Sequence, residues 1–218
     1  MPVVDATWTT SPQRRVPRQE RSRRRVEGLL DAAARIVVEH GVDALTTRDI
    51  AEAAQAPVAS LYQYFNDKED VLLALAQRDM EEMDAQVAEN LGHLEVLSVE
   101  SLVRTTMMAF VSVYRRRPAF VEIYLRGRAN HAVNRFGAEH NQRVAENLRE
   151  FAMEVGLAND QLTAKIAHLA VEVGDRVFQL AYAEDADGDP ELIEEGIALV
   201  TSYLDRFATP EGREGIRP

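Results

Sequence analysis

Apolar residues recur at helical spacing along almost the whole chain. Over about 20–40, Val26, Leu29, Leu30, Ala33, Ile36 and Val37 keep one face, and Gly41 is placed as a left-handed C-cap. Ile50, Ala51 and Ala54 predict a short helix over about 47–54, with Thr46 as N-cap and Asp49 three residues on. Gln55-Ala56-Pro57 interrupts it, and a second short helix, over about 58–65, is anchored by Leu61 and Phe65. Residues 68–91 read as one long helix with Leu72, Leu75, Ala76, Met80, Met83 and Val87 on one side. Helices follow over about 99–116, 118–127, 132–155, 159–183 and 190–207, with the last ten residues expected to fray. The expected class is all-α.

The last two long helices differ from the rest. In 159–183, Leu162, Ile166, Leu169, Val173, Val177 and Leu180 form one apolar stripe, and Ala167, Val171, Gly174, Phe178 and Ala181 form another. In 190–207, Leu192, Gly196, Leu199 and Tyr203 run beside Ile193, Ile197, Val200 and Leu204. A helix with two apolar faces has to be covered twice. The expectation is a homodimer, with Val171, Gly174, Phe178, Leu192, Gly196, Leu199 and Tyr203 as candidate interface residues.

Two short helices across a three-residue break form a helix-turn-helix, whose second helix enters the DNA major groove by its N-terminal end. Val58 and Ala59 open that helix, with Ala59 and Ser60 small enough for close approach. Ser60, Tyr62, Gln63 and Tyr64 offer hydroxyl and amide groups to bases and phosphates. Thr46, Arg48 and Lys68 are candidate backbone contacts. The bland alternative is a helical hairpin buried in a core. The stretch resembles the DNA-binding domain of TetR-family transcriptional regulators, matching their pattern at Thr46, Arg48, Asp49, Ile50, Ala51, Ala54, Leu61, Tyr62, Phe65, Lys68, Glu69 and Leu72. It departs at Gln55 (usually the turn glycine), Ala56, Pro57 and Tyr64.

That resemblance implies an N-terminal three-helix DNA-binding domain and a C-terminal helical domain for ligand binding and dimerisation. The domains expected are a disordered basic arm over 1–20, the helix-turn-helix domain over 21–67 and an effector-binding body over 68–218, with 68–91 as the linking helix. The implied partners are a palindromic double-stranded operator, a small-molecule effector and a second copy of the chain. Repression relieved by the effector is the expected output.

Charge changes the picture in one respect. The net charge is −11, which is unfavourable for a DNA binder until it is divided along the chain. Residues 1–25 hold seven arginines against Asp5 and Glu20, a balance of +5 that leaves −16 on the remainder. Arg21, Arg23, Arg24 and Arg25 therefore join the candidate DNA contacts. Arginine runs are also found as solvated tails. The tryptophan Trp8, in the Pro-containing lead, has no assigned role.

The chain contains no cysteine, so disulfides and thiolate chemistry are excluded. No apolar run is long enough to span a bilayer, and a soluble, cytoplasmic protein is expected. No glycine-rich phosphate loop, nucleophile elbow or metal motif is present, the five histidines are scattered, and no enzyme, cofactor or metal is expected. For the effector, the candidates are Met107, Phe110, Tyr114, Phe120, Tyr124, Phe136, His140 and Asp175. Each has an ordinary reading too, His140 as a satisfied core histidine and the aromatics as plain core. Two rivals remain open at this point: a helical ligand-binding protein with a degenerate DNA-binding head, and a small helical enzyme.

Overall fold

A computed structural model describes residues 20–127 and 130–215. The expected disordered arm over 1–20 lies, apart from Glu20, outside the described residues. The elements are α1 (Glu20–His40), α2 (Thr47–Ala53), α3 (Val58–Leu61), α4 (Lys68–Leu91), α5 (Val99–Arg116), α6 (Pro118–Phe120), a π-helical turn (Val121–Leu125), α7 (His131–Glu154), α8 (Ala164–Ala181), α9 (Pro190–Leu204), a 3₁₀ turn (Asp205–Phe207) and α10 (Pro210–Glu214). Among the described residues the only β pairing is an isolated bridge between Ala158 and Ala208, so the fold is all-α as the periodicity predicts.

These residues fall into two compact units, one of 20–80 with 117–137 and one of 81–116 with 138–215. In the first, Leu29, Leu30, Leu45, Ile50, Ala51, Leu61, Leu72 and Leu75 make a core closed to solvent. Local signals place the helix ends. Gly41 takes φ +81°, which a residue with a Cβ rarely adopts, and its N–H donates to the Val37 carbonyl at 2.9 Å. Thr46 Oγ1 accepts from the Asp49 N–H at 3.1 Å, capping α2, and donates to Asp49 Oδ2 at 2.6 Å.

Helix α2 ends with Gln55 at φ +51°, and the Ala56 N–H reaches back to the Ala51 carbonyl at 2.9 Å. That is the left-handed C-terminal turn in which glycine is preferred, held here by a glutamine. Gln55→Gly should raise stability by about 0.5–1 kcal/mol, the left-handed strain of a side chain less the extra backbone entropy of glycine. Urea midpoints of the two proteins measure this; equal midpoints would show that the strain has been absorbed elsewhere.

Three elements differ from expectation. The helix expected over 159–183 begins only at Ala164, because Thr163 caps it there, its Oγ1 accepting from the Ile166 N–H at 3.4 Å. Helix α3 stops at Leu61, where 58–65 was expected, because Tyr64 N–H bonds the Leu61 carbonyl in a tighter i→i−3 turn and Asn66 and Asp67 cap the start of α4. The segment after Pro118 gives only one α-helical turn before widening, with Arg126 N–H bonded five residues back to Val121.

In the second unit, α5, the C-terminal part of α7, α8 and α9 pack around Leu102, Ala109, Ala145, Ala152, Leu157, Leu162 and Ala167. Gly196 of α9 lies where a Cβ would fall 2.4 Å from Val177 Cγ1 of α8, so this glycine sets a close approach within the chain. The expectation that the last ten residues fray is corrected over 209–215, the described part: Thr209 caps α10 through the Gly212 N–H at 2.9 Å, and Gly212 is buried.

Candidate functional site

The helix-turn-helix is braced by two hydroxyl pairs that set the exposed face of α3. Tyr62 and Thr47 place their hydroxyl oxygens 3.1 Å apart, joining the turn after α3 to the start of α2. Tyr64 and Ser22 do the same at 2.9 Å, joining that turn to the start of α1. Val58 is 38% and Tyr62 54% exposed, high for apolar and aromatic side chains, and Ala59 and Gln63 are also open to solvent. Leu61 and Phe65 are buried beneath them.

Ser60 differs from its expected place. It is buried at 9% exposure, so it packs inward and does not present its hydroxyl on this face. A helix of four residues has room for only one outward side, and Val58 and Ala59 occupy it. Thr46, Arg48, Arg21, Arg23, Arg24 and Arg25 are exposed, and Lys68 is half-buried at the start of α4. Arg24 is engaged by Glu20 one turn earlier, whereas Arg21, Arg23 and Arg25 flank Ser22, which touches Tyr64. The arginine-rich start of α1 is thereby brought beside the recognition segment.

One charged cluster in this unit escaped sequence reasoning. Asp79, only 1% exposed, takes Arg78 Nε at 3.2 Å and Arg117 Nε at 3.6 Å. Arg78 Nη1 also reaches Asp31 at 2.8 Å and Glu27 at 3.3 Å. Burial alone would lower the Arg78 value, but Asp79 and Asp31 outweigh it and hold the guanidinium above the ordinary arginine range. The only signal in the sequence was an arginine followed by an aspartate on a helix, which is far too common to single out.

In the second unit a narrow cavity of about 100 Å³ runs between α5, α7, α8 and α9. Of the candidate effector residues, Met107, Phe110 and Asp175 line it. Tyr114 is packed behind, edge-on to Phe178 and Tyr182 at 5.3 Å in each case. Phe120, Tyr124 and Phe136 belong to the other unit, where Phe120 and Tyr124 stack at 5.2 Å. His140 faces α4 instead: it is 3% exposed and its Nε2 lies 2.9 Å from Asp84 Oδ1. The lining includes polar groups absent from the sequence candidates, namely Thr106, Asn141 and Arg149.

The candidate interface residues divide as well. Val171, Gly174 and Phe178 turn into the cavity, which places them away from a partner surface. Leu192, Gly196 and Leu199 line a surface groove with Val177 and Leu180, and Leu169 is also exposed on α8. Tyr203 is half-buried against Phe207 and Arg206. Arg104 of α5 grips Glu194 of α9 through two hydrogen bonds of 2.9 and 2.8 Å, which hold that carboxyl below its ordinary value. Among the described residues no group of His, Asp and Glu is arranged to hold a metal ion, and no helix is long and apolar enough to cross a membrane.

Comparison with known proteins agrees with this geometry. The family description "Bacterial regulatory proteins, tetR family" matches residues 29–75, and "Tetracyclin repressor-like, C-terminal domain" matches residues 98–204. The chain is 39% identical over 97 residues to the HTH-type transcriptional repressor AcnR of Corynebacterium diphtheriae, a stretch spanning 44% of each protein, so under half the length of that relative is matched. It is 25% identical over 190 residues to the HTH-type transcriptional regulator BetI of Rhizobium meliloti, covering 86% of this chain and 91% of that one. The crystal structure of a TetR-family transcriptional regulator from Streptomyces coelicolor is similar with a TM-score of 0.69 at 32% identity, over 84% of this chain and 99% of that one.

Proposed function

This chain belongs to the TetR family of bacterial regulatory proteins, and we propose that it acts in the cytoplasm as a homodimeric repressor that leaves a palindromic operator when a small molecule enters its body. The observation that carries this reading is the exposed N-terminal end of α3, with Val58, Ala59, Tyr62 and Gln63 open to solvent and the start of α1 tied next to it through Ser22 and Tyr64.

Each part then has a task. Val58 and Ala59 bring methyl groups to the major groove and Gln63 an amide able to pair with an adenine edge. Thr46, Arg48, Lys68 and the arginines at 21, 23 and 25 neutralise or hydrogen-bond phosphates. Tyr62 and Tyr64 brace the head internally and offer their hydroxyls to the backbone. The functional division is a head over 21–67 and a body over 68–218, joined by α4. Two heads occupy successive major grooves on one face of the duplex, about 34–36 Å apart. An effector acts by favouring one of two head spacings, which requires that it bind the two states with different affinity.

The test is selection of bound sites from random duplex DNA, followed by the salt dependence of the winning sequence. A palindrome is expected. Replacing Arg21, Arg23 and Arg25 with alanine should flatten the slope of log affinity against log salt by about 0.9 for each phosphate no longer neutralised. Absence of enrichment at any salt concentration would remove the operator and leave only the fold.

A further inference from the structure

The cavity in the second unit has a shape and a charge that together specify a class of ligand. Its lining runs from Val99 to Phe110 on α5 and from Asn141 to Ala152 on α7. At a rise of 1.5 Å per residue, it follows the helices for about 16 Å. Only about 100 Å³ of free volume is spread over that length. A chain drawn out along the helices keeps the most contact with such an apolar lining, and with so little free volume the walls have to give way to admit it. Met107, unbranched and easily rearranged, is the side chain most able to give way as such a chain enters.

The two ends are not equivalent. At one, Arg149 lines the slot beside Ala152 and Leu162, its Nε donating to the Leu162 carbonyl at 2.7 Å. Among the described residues its two Nη groups have no hydrogen-bond or ion-pair partner, and the side chain is half-buried at that end of the apolar lining. At the other end, next to Phe110 and Phe178, stands Asp175, hydrogen-bonded by Gln179 Nε2 at 2.7 Å. Between them Thr106 Oγ1, on a residue only 7% exposed, has no hydrogen-bond partner. Buried polar groups left unsatisfied in this way are uncommon and call for a partner.

We propose that the slot binds an unbranched aliphatic monocarboxylate, its carboxylate on the Arg149 guanidinium and its chain directed toward Phe110. Asp175 excludes the reverse orientation, because it would set two carboxylates together. An oxygen carried part-way along the chain would give Thr106 the partner it lacks. This assignment rests on reading the body as the effector-binding part of a regulator, and it names the chemical class of that effector.

Calorimetric titration of the full chain with octanoate, octanol and octylamine, without DNA, tests it. The three probes share a chain and differ only in head-group charge. Octanoate should bind ten- to a hundred-fold more tightly than octanol, the range expected for a hydrogen bond to a charged partner. Octylamine, whose ammonium can meet only Asp175 in the reversed orientation, where Gln179 Nε2 already donates to that carboxylate, should bind more weakly than octanoate and should keep its affinity in Arg149→Gln. In Arg149→Gln the octanoate advantage should vanish while octanol binding stays, and Arg149→Lys should restore part of it. Equal affinity for octanoate and octanol in the unmodified protein, a preference for octylamine, or no binding of any probe overturns the proposal, and none of these depends on how the variants fold. Because heat is read without DNA, a protein that binds octanoate yet selects no duplex would retain this site and lose the regulatory reading. One that selects a palindrome and ignores octanoate would do the opposite.

Discussion

Leu199→Glu should convert the protein from a dimer to a monomer at micromolar concentration and lower operator affinity by at least about a hundred-fold. Leu199 is 55% exposed on α9, and it shares a groove with Leu180 and Leu192, which are 49% and 41% exposed. Leu169 on α8 adds a fourth large apolar side chain left open to solvent. Such a patch, rimmed by Glu195 and Ser202, is what a partner surface looks like before it is covered. In a two-fold dimer each substitution occurs twice, so two carboxylates would be buried without partners at a cost of several kcal/mol each.

The protomer itself should hardly notice the change, because residue 199 faces outward within it. Sedimentation equilibrium reads the mass and circular dichroism the helix content. A folded monomer with lost operator affinity is the expected result. A Leu199→Glu protein that remains dimeric would show that the second copy sits elsewhere.

Asp79→Asn should destabilise the protein by about 2–3 kcal/mol and lower its melting temperature by roughly 4–10 °C. The side chain is 1% exposed and lies between Arg78 and Arg117. Removing one partner of a buried ion pair typically costs about 3–5 kcal/mol, because the other charge is left in low dielectric. The lower figure applies because the Arg117 side chain is 35% exposed and Arg78 keeps Asp31 and Glu27. The double variant Asp79→Leu, Arg78→Met should recover part of the loss, since it removes the buried carboxylate with one of its two arginines and leaves of the cluster only Arg117, Asp31 and Glu27, which are more exposed. Thermal melts of the three proteins measure this. If the double variant is worse than the single, the cluster contributes net stability and does not merely avoid an uncompensated charge. The same variants should be tested for operator binding, because the cluster joins α1, α4 and the turn at Arg117 within the unit that carries α3.

Local sequence signals located the head well. Thr46 with Asp49, Gly41, and the Gln55–Pro57 break act within one turn of helix, through caps and left-handed turns that depend on nearby backbone alone. The same locality explains why α9 starts at residue 190, where it was expected: the Asp189 carboxylate accepts from the Glu191 and Leu192 N–H groups at 2.9 and 3.2 Å. Ser60 was misplaced because a four-residue helix carries too little periodicity to say which side faces inward.

The body was legible only as helices. Residues 164–181 of α8 carry apolar side chains around most of their circumference, and spacing alone does not say which stripe meets the core, which a cavity and which a partner. Packing decided it: Val171, Gly174 and Phe178 turn inward, Leu169 and Leu180 outward. Likewise His140 found Asp84, 56 residues away, and Arg149 found the Leu162 carbonyl and no carboxylate among the described residues. By itself the sequence determined the class, the helix boundaries near caps and the DNA-reading motif, since those depend on contacts within a few residues. Which groups meet across the bundle was decided only by the tertiary structure, because helix rotation and long-range pairing depend on every packed neighbour at once.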